Sequence, residues 1–139
     1  KLMLFYTGNT RDSRKILSEQ SDSIESKRKS LDDLVATVDS VCEKLANGDI
    51  DCVGSELDRT WMIKKQLAGG ISNPDIDSMY DIARSNGAIG GKILGAGGGG
   101  FMLLYVPEEK QESVRKGLRQ FREVDFNIDY QGSRIIFAD

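Results

Sequence analysis

The sequence of 139 residues contains no histidine, only two prolines and only two cysteines. Without histidine, it lacks the side chain that most often serves as a general base or binds a metal at neutral pH. Cys42 and Cys52 do not form a C-x-x-C pair, so we expect free thiols in a reducing, cytoplasmic environment. No apolar stretch approaches the roughly 18 residues of a membrane span. The net charge of −3 argues against nucleic acids or anionic membranes as partners.

Glycine, in contrast, is abundant, and five of the six positions from 95 to 100 are glycine. Such a run weakens regular structure, because glycine loses more backbone freedom on folding than any other residue. The run therefore indicates a backbone path that side chains would block, in which successive N–H groups can converge on an anion such as phosphate. The alternative is a purely structural connection between two strands, although a two-residue turn would also make that connection.

The two most familiar glycine loops do not fit this run. Gly95, Gly97 and Gly100 match the G-x-G-x-x-G spacing of dinucleotide-binding loops, which lie between a strand and a helix. Here the run leads into the apolar segment 101–106, which predicts a buried strand. The spacing of a P-loop also occurs, but phenylalanine and methionine stand where that loop needs lysine and Ser/Thr. The context is therefore strand, glycine loop, strand.

The segment Lys92-x-x-Gly95-Ala96-Gly97-Gly98-Gly99-Gly100 resembles the third signature motif of the GHMP kinases. This superfamily includes galactokinase, homoserine kinase, mevalonate kinase and phosphomevalonate kinase. Other segments resemble the branch that phosphorylates heptose 7-phosphate at its anomeric hydroxyl, with fucose kinases as near neighbours. These segments are Phe5-Tyr-Thr-Gly8-x-Thr10-Arg11, Trp61-x-x-Lys64 and Ser72-Asn73-x-x-Ile76-Asp77. The resemblance covers most of the chain.

Two motifs of the superfamily are missing from the sequence. Its N-terminal domain carries a Pro-x-x-x-Gly-Leu-Gly-Ser-Ser-Ala-like ATP loop and supplies the usual catalytic aspartate, and neither occurs here. The resemblance therefore implies that residues 1–139 are the C-terminal domain of a kinase, with no catalytic residue and no activity on their own. ATP and Mg²⁺ would be held mainly by the N-terminal domain and the nucleotide phosphates, with no metal site in this chain. The face left by that absent domain predicts self-association.

The apolar pattern predicts an α+β fold, with helices on one face of an antiparallel sheet. The resemblance implies the same, a ferredoxin-like domain with an inserted helical segment. A strand is expected over Leu2–Tyr6, and Thr10 is placed to cap a helix that runs toward Lys29. The clearest helical period extends from Leu31 to Leu45, and Asn47-Gly48 should end that helix.

The second half of the chain predicts three more helices and the remaining strands. Helices are expected at about 50–67, after Asn73-Pro74 and after Pro107. Alternation of apolar and polar residues over 124–130 predicts a half-buried strand, and residues 134–138 would complete a hairpin with it.

Thr10, Arg11 and Trp61 are the candidate substrate-binding residues. Arg11 lies in the first turn of a predicted helix, where a guanidinium and a helix N-terminus together suit the phosphate of a sugar; the alternative is an exposed arginine. Trp61 fits either a core position or a platform for a sugar ring. Lys92 and residues 95–100 form the candidate nucleotide-phosphate loop, in which Lys92 either adds positive charge or points to solvent. Lys64 is expected to be solvated.

The resemblance implies an enzyme that transfers the γ-phosphoryl group of ATP to a hydroxyl of a sugar or sugar phosphate, with heptose 7-phosphate favoured. The residues leave the acceptor open among heptose phosphate, fucose, another hexose and a non-sugar alcohol such as mevalonate. The competing hypothesis is a non-catalytic sensing or interaction module with a ferredoxin-like sheet. An upstream Gly-Leu-Gly-Ser-Ser-Ala-like segment would decide for the kinase.

Overall fold

The structure of the chain is a computed structural model, which describes residues 1–10, 12–134 and 137. Within those ranges the elements alternate in the order β-α-β-β-α-β, with four helices in the first connection. They are β1 (Leu2–Tyr6), α1 (Ser13–Asp22), α2 (Ile24–Ala46), α3 (Cys52–Lys64), α4 (Pro74–Ser85), β2 (Gly90–Ile93), β3 (Phe101–Tyr105), α5 (Glu108–Gly117) and β4 (Arg122–Glu123). Of the helices found in the described ranges, none combines the length and the apolar character that crossing a bilayer requires.

The four strands form one antiparallel sheet in the order β2-β3-β1-β4. This order and the β-α-β-β-α-β alternation define a ferredoxin-like sheet. The predicted α+β fold is therefore confirmed, and the extra helices between β1 and β2 are the inserted helical segment. Because β3 lies between β1 and β2, the end of β1 meets the turn that joins β2 to β3.

One face of the sheet and the helices above it form the hydrophobic core. Alternating strand residues are buried on this face: Met3, Phe5, Ile93, Met102 and Leu104. Side chains of α4 and α5 belong to the same cluster, including Ile76, Met79, Ala83 and Val114. The opposite face is more open, and Phe101, paired there with the ring of Tyr6 at 5.4 Å between centroids, is 39% exposed.

Helix α3 lies directly against the edge strand β2, because two glycines meet at the contact. A Cβ on Gly90 would clash with the carbonyl oxygen of Gly54 and lie 2.7 Å from the backbone nitrogen of Asp58. Because of this contact, the C-terminal half of α3 extends along β2 toward the glycine loop. Lys64, the last residue of α3, therefore lies beside β2 and that loop.

The beginning of the helical segment differs from the prediction. Thr10 does not cap the first helix; the carboxylate of Asp12 does, accepting from the backbone N–H of Arg14 at 3.0 Å. The helix also ends at Asp22 rather than near Lys29. The hydroxyl of Ser23 donates to the carbonyl oxygens of Gln20 and Leu67, both at 3.1 Å, so it competes with the helical pattern there.

Helix α2 includes the predicted period and ends at Ala46, with Asn47 as its C-cap, as the Asn47-Gly48 pair predicts. Its apolar face is only partly covered, however. Val35 is 70% exposed and Val38 is 57% exposed, while Thr37 is the buried residue of this helix. A regular apolar period thus identified the helix correctly, although much of its apolar side faces solvent in this chain.

The predicted strand over 124–130 is wrong. The fourth strand is only Arg122–Glu123, and the last backbone bond to β1 joins the Val124 N–H to the Leu4 carbonyl at 2.8 Å. Apolar side chains beyond this point are not buried, and Ile128, for example, is 58% exposed. The alternation of apolar and polar residues over 124–130 is therefore present, but its apolar side chains do not pack on an apolar surface. The second half of the predicted hairpin, 134–138, lies partly outside the described residues.

Candidate functional site

Three backbone segments meet at one end of the sheet: the turn 7–10 after β1, the segment 68–73 before α4, and the glycine loop 94–100. The N–H of Gly100 donates to the carbonyl of Asn9 at 2.8 Å, and the N–H of Thr7 donates to the carbonyl of Gly100 at 2.9 Å. On the other side, the N–H of Gly98 donates to the carbonyl of Ile71 at 2.8 Å. The glycine loop is therefore held from both sides by main-chain hydrogen bonds.

Two separate constraints account for the glycines of the loop. Four of them have φ between +76° and +110°, a region that side chains disfavour: Gly95, Gly97, Gly98 and Gly100. Gly99 lies outside that region, but a Cβ there would lie 2.9 Å from the carbonyl carbon of Asn9 and closer still to its oxygen. A Cβ on Gly97 would also lie 2.8 Å from the Cα of Ile71.

Three consecutive N–H groups at the start of the loop have no hydrogen-bond partner among the described residues. They belong to Gly95, which is exposed, and to Ala96 and Gly97, which are half-buried. The φ angles alternate in sign along them, +77° at Gly95, negative at Ala96 and +110° at Gly97. Alternation of the sign of φ is one feature of an anion-binding nest, the arrangement in which successive N–H groups converge on an anion. Gly98 and Gly99, in contrast, are buried, and the N–H of Gly98 is already bonded to Ile71.

Lys92 does not simply point to solvent. It is half-buried on β2 and borders a cavity together with Lys64 of α3. The Nζ of Lys64 donates to the carbonyl oxygen of Gly95 at 2.5 Å. Burial, and secondarily the charge of Lys92, lower the pKa of Lys64 below its ordinary value. Lys64 is thus half-buried beside the candidate loop rather than simply solvated, and its position one turn after Trp61 was the available signal.

Trp61 is a core residue. Its side chain is 0% exposed, and its ring lies 6.5 Å from the ring of Tyr80, so it presents no open stacking platform. The indole Nε1–H is buried and has no acceptor within the described part of the chain. Trp61 nevertheless borders the cavity that contains Lys64 and Lys92.

Thr10 is exposed at the end of the turn that holds the glycine loop, so the structure brings it to the site. Its role in substrate binding stays a prediction. Arg11 lies outside the described residues, and its proposed contact with a sugar phosphate also stays a prediction.

The segment Ser72-Asn73-x-x-Ile76-Asp77 has a structural role at the site. Asn73 caps α4, since its Oδ1 accepts from the N–H of Ile76 at 3.0 Å, and its Nδ2 donates to the Gly98 carbonyl at 3.5 Å. The hydroxyl of Ser72 donates to Asp77 at 2.9 Å. The motif therefore fixes the start of α4 against the glycine loop.

Comparison with known proteins gives a consistent result. A family model described as "GHMP kinases C terminal" matches residues 41–123. D-glycero-alpha-D-manno-heptose 7-phosphate kinase of Campylobacter jejuni is 30% identical over 137 residues, which cover 95% of this chain and 40% of that protein. Bifunctional fucokinase/GDP-fucose pyrophosphorylase of Arabidopsis thaliana is 27% identical over 135 residues, or 92% of this chain and 12% of that protein.

Among solved structures, L. major mevalonate kinase in complex with R-mevalonate has a TM-score of 0.72 at 22% identity. The match covers 86% of this chain and 37% of that one, and at this identity it shows the shared fold alone. The chain thus spans at most 40% of the length of these relatives.

Proposed function

The chain belongs to the GHMP kinase C-terminal family, and from this we propose that it is the C-terminal domain of an ATP-dependent sugar kinase. The reaction is transfer of the γ-phosphoryl group to a hydroxyl of a sugar or sugar phosphate, with heptose 7-phosphate as the favoured acceptor. The heptose 7-phosphate kinase relative, 30% identical over 95% of this chain, supports that acceptor.

The observation that carries the proposal is the row of unbonded N–H groups from Gly95 to Gly97. Catalysis of phosphoryl transfer consists mainly of positioning the phosphates and neutralising the charge that develops on them. Backbone N–H groups held in a fixed loop do both without reorganising during the reaction. We assign these three groups to the nucleotide phosphates, and we assign Gly98, Gly99 and Gly100 to the support of the loop.

The rest of the machinery belongs to an N-terminal domain of the same polypeptide. That domain would supply the ATP loop and the catalytic aspartate, so this chain alone should be inactive. Mg²⁺ would arrive with ATP and be held largely by its phosphates; the described residues contain no cluster of three or more side chains suited to a metal. We also propose a cytoplasmic location, where ATP is available and the free thiols of Cys42 and Cys52 stay reduced.

The assignment of these N–H groups is tested with Gly95→Ala in the two-domain enzyme, the polypeptide that contains both this chain and the proposed N-terminal domain. Gly95 has φ +77° and no atom within 4 Å of an added Cβ, so alanine strains only the backbone. Gly48 is a matched control, because it has φ +83°, an equally open Cβ position, and a location at the end of α2. Both variants should lose about 1–2 kcal/mol of stability.

Only Gly95→Ala should impair ATP use. Misaligned N–H groups should lower kcat/KM for ATP by about tenfold or more, short of the 10²–10³ that follows complete loss of such a donor. The Gly48→Ala enzyme should keep its kinetics. Unchanged ATP kinetics in Gly95→Ala would contradict the assignment, and a two-domain enzyme that phosphorylates no sugar would contradict the proposed function.

A further inference from the structure

Lys64, the last residue of α3, holds the beginning of the glycine loop. Its Nζ donates to the carbonyl oxygen of Gly95 at 2.5 Å. The main-chain bonds that hold the loop to the turn 7–10 and to Ile71 involve only Gly98 and Gly100. Among the described residues, the bond from Lys64 is therefore the only hydrogen bond that residues 95–97 make.

The bonded carbonyl and one of the three unbonded N–H groups belong to the same peptide unit, the one that joins Gly95 to Ala96. None of the described peptide bonds is cis. In a planar trans peptide the C=O and the N–H point in opposite directions. Lys64, which holds the Gly95 carbonyl on one side, therefore directs the Ala96 N–H to the other side. That N–H is the middle one of the three, so its direction determines whether the row can converge on an anion.

Glycine alone does not fix this peptide plane. Gly95 has φ +77°, and no atom lies within 4 Å of the position of a Cβ, so packing does not hold it. Glycine also permits many backbone conformations that other residues avoid. The ammonium group supplies the missing constraint, because a charged donor bonds a carbonyl more strongly than a neutral donor does.

The surroundings of Lys64 strengthen this bond. Lys64 is half-buried, and exclusion of water makes a hydrogen bond electrostatically stronger. Within the part of the chain that the structure describes, no carboxylate forms an ion pair with Lys64, so none competes for its ammonium. A cation at the Gly95 carbonyl also polarises the peptide, which makes the Ala96 N–H a better donor.

The position of Lys64 depends on how α3 packs. The helix lies against β2 at the contact between Gly54 and Gly90, and Trp61, one turn before Lys64, is completely buried in the core. The end of α3 is therefore anchored to the sheet and to the core. Lys64 connects this anchored helix to a loop segment that has no other hydrogen bond in the described part of the chain.

We infer that Lys64 is a positioning residue for the nucleotide: through the Gly95 carbonyl it orients and polarises the Ala96 N–H that binds a phosphate of ATP. The inference rests on the proposed function and adds a residue of α3 to the machinery of the glycine loop. Lys64 acts through the main chain and contacts neither the nucleotide nor the acceptor.

The experiment measures steady-state kinetics of the two-domain enzyme with Lys64→Met, which keeps an unbranched side chain but removes the donor and the charge. kcat/KM for ATP should fall by about tenfold, less than complete loss of one such donor costs. KM for heptose 7-phosphate at saturating ATP should not change. Lys64→Arg should recover most of the loss, since a guanidinium can donate to the same carbonyl and the adjoining cavity of about 300 Å³ leaves room for it.

Lys44→Met is the matched control. Lys44 also lies in the last turn of a helix, α2, and its Nζ also makes a hydrogen bond, to Glu56 at 2.9 Å. That bond does not involve the glycine loop. The control should lose stability and keep the ATP kinetics of the wild type.

Combining Lys64→Met with Gly95→Ala tests the route by which Lys64 acts. Both changes disturb the same peptide unit, so their effects should overlap rather than multiply. The double variant should lose about tenfold in kcat/KM for ATP, as each single variant does, whereas two independent losses would give about 100-fold.

The possible outcomes separate the inference from the proposed function. Normal ATP kinetics in Lys64→Met beside impaired kinetics in Gly95→Ala would overturn the inference and leave the role of the loop intact. A rise in KM for the acceptor alone, losses that multiply in the double variant, or a folded Lys64→Arg enzyme that recovers nothing would also overturn it. Normal ATP kinetics in both single variants would remove the roles of the loop and of Lys64 together.

Discussion

A single methyl group at Gly99 should separate the glycine loop from the turn that follows β1. The φ of Gly99 lies outside the left-handed region, so alanine adds no backbone strain and its effect is purely steric. The new Cβ would lie 2.9 Å from the carbonyl carbon of Asn9 and closer to the oxygen. That same oxygen accepts the N–H of Gly100 at 2.8 Å. The loop can relieve the clash only by moving away and breaking this bond.

The expected loss of stability follows from these two contacts. Forcing an extra methyl group into a well-packed site typically costs about 1–3 kcal/mol. Loss of the hydrogen bond between Gly100 and Asn9 adds about 1 kcal/mol. Gly99→Ala should therefore lower the free energy of unfolding by about 2–4 kcal/mol. With a urea dependence of about 2 kcal/mol per molar, the unfolding midpoint should fall by about 1–2 M.

Tryptophan fluorescence provides the assay, because Trp61 is the only tryptophan and is completely buried. Gly69→Ala is the matched control: an added Cβ meets no atom within 4 Å and φ is not left-handed. That control should unfold at the wild-type midpoint or slightly above it, since alanine restricts the unfolded chain. A wild-type midpoint for Gly99→Ala would refute the reasoning, because it would mean that the loop does not lie against Asn9.

Two further predictions concern stability at alkaline pH and association. The buried hydroxyl of Tyr80 donates to Asp58 at 2.5 Å, and burial and then this carboxylate raise the pKa of Tyr80. The stabilisation of the fold by the protonated Tyr80 hydroxyl is therefore complete below about pH 10 and declines as the pH rises further. Tyr80→Phe should lower the free energy of unfolding at pH 7 by about 1–2 kcal/mol, and it should lose less stability than wild type above pH 10 in urea titrations. If the variant loses as much stability above pH 10 as wild type does, Tyr80 is not the group responsible. Leu94 and Phe101, each 39% exposed beside the glycine loop, should promote self-association of this chain in light scattering, and Phe101→Ser should reduce it. A monomer at every concentration would contradict this.

Much of the fold was predictable because its signals are local. Asn73 before Pro74 marked the start of α4, and Asn47-Gly48 marked the end of α2, because a cap or a positive φ depends only on adjacent residues. The break at Ser23 was not predictable in this way, since its hydroxyl bonds the carbonyl of Leu67, far away in sequence. The false strand at 124–130 shows that alternation indicates a strand only where a neighbouring surface covers one side.

The sequence indicated that the glycine run belongs to the candidate site, but it did not indicate which part each residue of the site plays. The glycine run indicated a special backbone path, yet the need for glycine at 97 and 99 arises from Ile71 and Asn9, which only the fold brings close. The convergence of Lys64 and Lys92 likewise depends on how α3 packs against β2. A sequence shows which residues carry charge, while the tertiary structure decides which charges share a space.

The position of β1 in the sheet has a consequence for synthesis of the chain. Leu2 pairs with Tyr105, so the central strand finds its first partner only after about 100 more residues have been made. At the usual translation rate of about 5–20 residues per second, this apolar strand waits for roughly 5–20 s. The four intervening helices can form during that time, because their backbone hydrogen bonds join residues only four apart in sequence. We therefore expect the helices to form first on the ribosome and the sheet to close last, with the nascent strand exposed to chaperones in the interval.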